Sequence, residues 1–210
     1  MPVYAIVNNT GPGEKEITYW TFYPYNRGKR VCIGMFINNI GCAGGYSTFG
    51  NHVGDWERVR VKLVNGQPQW YYLYIHDSDI TKRFGGKFYW NGREFSKDEK
   101  MITLKMTWDG HPIVYSADGS HGIWPFAGKH VYKNLHIDTL SDYTGEGGIS
   151  WNTWNNLKIV TYNKERKYDG EFQFLEYIGR WGNPADGCAN PISPFSGECI
   201  LNDGPKGPPK

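Results

Sequence analysis

The residues best equipped for chemistry lie where a glycine-rich loop runs into a strand, Gly50-Asn-His-Val-Gly-Asp-Trp-Glu-Arg-Val-Arg-Val-Lys-Leu63. Past Trp56 the pattern repeats every second residue, with Val59, Val61 and Leu63 on one face and Arg58, Arg60 and Lys62 on the other. Trp56 leads the polar face and is expected toward solvent, whereas Asp55 and Glu57 share the apolar face and point inward. Two inward carboxylates repel each other and lose hydration, so their pKa values rise unless a cation or several N–H donors compensate. His52 stands just upstream, and Gly50 and Gly54 let the loop fold back to aim imidazole and carboxylate at one point. Hard oxygens with a single imidazole would suit a divalent cation, Ca²⁺ or Mg²⁺ foremost, with Mn²⁺ and Zn²⁺ also accommodated. The structural alternative is an internal salt bridge or a carboxylate pair satisfied by N–H donors.

A second polar knot, His111-Pro-Ile-Val-Tyr-Ser-Ala-Asp-Gly-Ser-His-Gly-Ile-Trp-Pro125, ends a strand in a tight Asp118-Gly119 turn followed by Ser120 and His121. A strand end of this kind can present Asp118 and His121 to the first cluster. Ser120 and His121 are sequence neighbours, which disfavours a nucleophile–base pair between them, and no Gly-x-Ser-x-Gly elbow occurs. Trp56, Ser120 and Trp124 are the candidate ligand contacts, since exposed rings stack on sugars or rest at a lipid interface. Packing between sheets is the competing use of such rings. Phosphate-loop and dinucleotide fingerprints are absent.

Short strand-like runs must position these residues: Val3 to Val7, Ile17 to Tyr23, Trp56 to Leu63, Gln69 to His76, Met101 to Trp108, Ile113 to Ser116, Leu157 to Tyr162 and Phe172 to Leu175. Turn pairs such as Asn65-Gly66, Asn91-Gly92 and Asp109-Gly110 separate them. With 27 glycines, 12 prolines and 16% aromatics among 210 residues, the composition points to an all-β protein and excludes helical bundles and disorder. The expected architecture is a single β-sandwich domain with long loops over residues 1–203, followed by a flexible tail at 204–210. A formal charge of +2 gives no general attraction to polyanions and argues against nucleic acid as a partner. The opening residues lack a secretory signal, and the uncharged stretch Val31 to Gly54 is too rich in glycine and polar residues for a transmembrane helix. Cys32, Cys42, Cys188 and Cys199 fall as two close pairs without zinc-ribbon spacing, so local disulfides compete with free buried thiols.

Four segments resemble the vacuolar protein sorting-associated protein 62 family and its plant relatives: Tyr19-Trp-Thr-Phe-Tyr-Pro-Tyr-Asn26, Gly50-Asn-His-Val-Gly-Asp-Trp-Glu57, His111-Pro-Ile-Val-Tyr-Ser-Ala-Asp-Gly-Ser-His-Gly122 and Tyr177-Ile-Gly-Arg-Trp-Gly182. That family is in turn distantly similar to the necrosis-inducing NLP cytolysins, β-sandwich toxins that bind a divalent ion and sphingolipid headgroups. The cytolysin heptad Gly-His-Arg-His-Asp-Trp-Glu aligns its acidic end on Asp55, Trp56 and Glu57 and its first histidine on His52. Its second histidine falls on Gly54, and the preceding acidic ligand has no counterpart between Cys42 and Gly50, leaving Asp118 or His121 to complete the shell. The resemblance implies a secreted or extracellular toxin-like protein, possessing a cation site at His52, Asp55, Glu57, Asp118 and His121, that engages a membrane lipid headgroup or glycan. Two alternatives accompany it: a metal-dependent hydrolase with His121 or Asp118 as general base, and a lectin-like or sorting module, cytoplasmic or vacuolar in location.

Overall fold

A computed structural model describes residues 1–38, 40–76, 82–98, 101–134, 139–162, 165, 167–168, 170–190 and 193–208. The chain is all-β. Its first two strands, β1 (Val3–Gly11) and β2 (Glu14–Asn26), form a hairpin, and the ribbon segments β3 (Lys29–Cys32), β4 (Met35–Ile37), β5 (Gly41–Ala43) and β6 (Tyr46–Phe49) follow. The long β7 (His52–Val64) pairs antiparallel with β2 and, through the Asn65-Gly66 turn, with β8 (Gln67–Leu73). Next come β9 (Gly86–Trp90), β10 (Phe95–Lys97) and β11 (Ile102–Thr103), which extend the same sheet. The short β12 (Tyr115–Ser116) and β13 (Ile123–Trp124) pair with each other, as do β14 (Gly128–Asn134) and β15 (Thr139–Thr144). Finally β16 (Leu157–Val160) docks parallel to β1 and completes an eight-stranded sheet in the order β11-β10-β9-β8-β7-β2-β1-β16.

Both faces of this sheet are covered. On one, Val59, Val61, Tyr71, Leu73 and Phe88 pack under Leu104 and Ile123, so the chain from β11 to β13 forms the second layer. On the other, Ile6, Trp20 and Trp56 pack under Tyr168, Leu175 and Trp181 from the C-terminal part of the chain. This second cover corrects the expectation that Trp56 faces solvent. The residue does share a face with Arg58 and Arg60, but its end of that face is roofed, and it is only 9% exposed. The cation end is half-buried, with Arg58 lying over the Trp20 and Tyr74 rings and Lys62 paired to Glu14. Close packing explains Gly54: at φ +73° a Cβ there would stand 2.6 Å from the Trp181 carbonyl oxygen.

Several strand expectations shift in detail. Residues Phe172 to Leu175 lie in a 3₁₀ helix, Gly170–Glu176, where Phe172 and Leu175 serve the aromatic cover and three residues per turn suit a short surface-spanning piece. Only Ile102–Thr103 of the 101–108 run pairs as strand, and the hairpin β14–β15 was not anticipated. Cysteines pair locally as Cys32–Cys42 and Cys188–Cys199. Each closes a short loop, a constraint of about 2–3 kcal/mol in the chain-entropy model. Of the tail, Pro205 accepts a backbone hydrogen bond from Trp181 at 2.8 Å, and Gly204 lies against Gly182.

Candidate functional site

The turn after β12 is where the sheet's acidic strand end meets the second layer. His121 sits there with φ 60°, a left-handed conformation that costs a side-chain-bearing residue about 1–3 kcal/mol. Its Nδ1 donates to Asp55 Oδ2 at 2.9 Å, and its ring lies flat on Tyr23, centroids 4.0 Å apart at 7°. Tyr23 is the cross-strand neighbour of Asp55. Its hydroxyl donates to Ser116 Oγ, whose own proton goes to the His121 carbonyl, both at 3.3 Å. Burial first, and the nearby carboxylates second, push the Tyr23 phenol up, so it remains a neutral donor. Two positions along β7, Glu57 takes the Thr21 hydroxyl on its backbone carbonyl at 3.3 Å, and its carboxyl is held among buried neighbours. Desolvation, then the charges of Asp55 and Asp142, push its carboxyl well above the ordinary range, with the Arg58 charge only partly opposing. The inward placement of Asp55 and Glu57 therefore follows the strand period, and the two differ in setting, one hydrogen-bonded to an imidazole and one with its carboxyl pushed upward by burial.

On the other side of the same turn lies an arrangement the sequence reading missed. Asp142, on β15, is fully buried and accepts four donors. Lys29 Nζ at 2.5 Å and Ser120 Oγ at 2.5 Å reach Oδ1, while His76 Nε2 and Trp124 Nε1, each at 2.8 Å, reach Oδ2. Burial works against its charge, but the hydrogen bond and charge of His76 and those of Lys29 win, holding the carboxyl well below the usual range. Gly122 makes this possible, since a Cβ there would stand 2.9 Å from Asp142 Oδ2. No local signal marks Asp142; its four donors come from three separate places in the chain, at Lys29, His76 and the 120–124 segment. A small cleft of about 190 Å³ opens beside it, bordered by Lys29, His52, His76 and Ser120.

These contacts correct the metal-site expectation. The Nδ1–H of His52 donates to the Gly54 carbonyl at 2.6 Å, and its Nε2 lone pair accepts from Asn26 Nδ2 at 2.8 Å. Asn26 Oδ1 takes the Gly28 N–H at 2.9 Å, which fixes the amide orientation and hence the imidazole tautomer. No ring nitrogen of His52 remains for an ion. Asp118 is exposed and paired with Arg27. Of the five expected ligands, then, the structure unites Asp55 and His121 with Glu57 alongside, and commits His52 and Asp118 elsewhere. Among the described residues no group of three or more His, Cys, Asp or Glu side chains is placed to hold a metal ion. Ser120 and Trp124, expected to meet a ligand, are buried and spent on Asp142, and Trp56 is enclosed by Tyr4, Trp20, Phe22 and Trp181. The competing use of such rings, packing, prevails for these two tryptophans.

Comparison with known proteins adds the wider setting. The family described as Vacuolar protein sorting-associated protein 62 matches residues 2–186. Two curated proteins of Saccharomyces cerevisiae (strain ATCC 204508 / S288c) are similar to the chain. Putative vacuolar protein sorting-associated protein TDA6 is 26% identical over 219 residues, covering 99% of this chain and 44% of its own length. Vacuolar protein sorting-associated protein 62 is 27% identical over 227 residues, covering 99% of this chain and 43% of its own length. The chain thus spans less than half the length of these curated relatives. No solved structure matches it. These findings overturn the toxin-like, cytolytic expectation, since both similar proteins carry vacuolar sorting names and the cation site on which that reading depended does not assemble. Among the described residues no helix is long and apolar enough to cross a membrane.

Proposed function

The chain belongs to the vacuolar protein sorting-associated protein 62 family, and from that premise we propose that it serves protein sorting to the vacuole as a binding module. One observation carries this reading: all four segments by which the family is recognisable converge in space. Tyr23 from the first stacks on His121 from the third, Asp55 from the second accepts the His121 proton, and Trp181 from the fourth packs edge-on against Trp56. Strain at His121 and the buried Asp142 network are costs that a mere spacer would have no reason to carry. Together they hold the 118–122 turn and the adjoining cleft in one shape, which lowers the ordering cost of binding a partner. The names of the similar yeast proteins favour work along the vacuolar route.

The experiment is complementation. In cells deleted for the endogenous gene, the full chain should restore retention of a soluble vacuolar hydrolase that otherwise appears in the medium. His121→Ala, expressed at equal level, should restore less. Unchanged sorting after deletion, or full rescue by the variant, overturns the proposal.

A further inference from the structure

A second and larger cleft, about 500 Å³, lies beside the first, lined by residues of the β3–β6 and β14–β15 ribbons. Its floor is apolar, with Val31 and Leu140 buried in a small cluster of their own. Its walls carry Arg27, Arg30 and Lys129, together with the hydroxyls of Thr48, Thr139 and Ser141. Asp118 is the one acid in the lining, and Arg27 already engages it. Arg30 lies over the Tyr46 ring, centroid 4.2 Å away, and Lys129 over the Tyr143 ring at 5.8 Å, and neither has an acidic partner among the described residues. Lys29 stands at the boundary with the first cleft, its ammonium fixed by Asp142, Ser120 Oγ at 3.0 Å and the Asp118 carbonyl at 3.2 Å. The chain as a whole is nearly balanced, with a formal charge of only +2, so this gathering of cations is a local feature.

We propose that this cleft binds a phosphate monoester, with Arg30 and Lys129 as its principal contacts. Guanidinium offers paired N–H donors that match phosphate oxygens, ammonium adds a point charge, and the hydroxyls satisfy the remaining lone pairs. Ring stacking holds Arg30 in place before a ligand arrives, and the concave wall concentrates the positive potential. Arg27 is released to the ligand only by giving up Asp118, so it contributes less than the two unpaired cations. The site is separate from the Asp55–His121 pair and does not depend on the sorting role.

Titration calorimetry on the full chain tests it, first with inorganic phosphate and glycerol phosphate at low salt, then with vesicles of neutral lipid containing or lacking a phosphoinositide. Saturable heat with the soluble esters identifies a free phosphate compound as the source, and binding to phosphoinositide vesicles alone identifies a headgroup. In either arm the double variant Arg30→Gln/Lys129→Gln should bind about tenfold or more weakly, whereas Lys158→Gln, on distant β16, should bind as the parent does. Melting curves confirm that both variants are folded. Absence of saturable binding in both arms, or equal binding by the folded double variant, overturns the assignment.

Discussion

His121 Nδ1 and Asp55 Oδ2, 66 positions apart in the chain, meet at 2.9 Å across the junction of the sheet and its second layer. The bond crosses from β7 to the turn before β13 and so ties the two elements together. It also holds His121 in a backbone conformation that glycine adopts freely and other residues resist.

Strain and bond can be separated by substitution. His121→Ala should cost about 1–3 kcal/mol of stability, because it removes the hydrogen bond and keeps the left-handed backbone. His121→Gly loses the same bond and relieves the strain, so it should be less costly than the alanine by about 1 kcal/mol. Denaturant midpoints of the two variants make the comparison, and equal or reversed costs would contradict the account of the turn.

Glu57 governs a different measurement, the dependence of stability on pH. Its carboxyl is pushed upward in the folded protein, chiefly by burial and then by Asp55, so above the ordinary value of 4.5 the folded state retains a proton that the unfolded chain has released. The stability this contributes is complete below that ordinary value and is lost as pH rises through the folded one. Glu57→Gln has no proton to lose. Its stability relative to the parent should increase with pH through the same window, and parallel pH profiles would show that Glu57 ionises without penalty.

Asp142 behaves in the opposite sense. Its carboxyl is depressed, so its contribution is present above the ordinary value of 3.8 and is lost as pH falls through the folded one. Asp142→Asn leaves Lys29, only 13% exposed at the side chain, without its counter-charge and should cost about 3–5 kcal/mol. Lys29→Met in the same background should recover part of that loss. A double-mutant cycle with no coupling energy would show that the two charges act independently.

Consecutive residues determined a good part of this molecule. The alternation through Val59, Val61 and Leu63 placed Asp55 and Glu57 inward because side-chain direction along a strand is a local property. Turn pairs such as Asn65-Gly66 likewise announced the hairpin they close, and the short spacing of the cysteines brought each pair within reach. Tertiary structure alone decided what those positions would meet. Trp56 obeyed its period and was still buried, because residues beyond β16 roof that half of the sheet. His52 had the right spacing for a ligand, yet Asn26 across the β2–β7 pair claimed its free nitrogen. Asp142 drew Lys29, His76, Ser120 and Trp124 from across the chain, and no pattern among its neighbours in sequence encodes them. Period and turn chemistry act over a few bonds, whereas the partner of a buried charge is fixed only when distant segments pack and exclude the water that would otherwise solvate it.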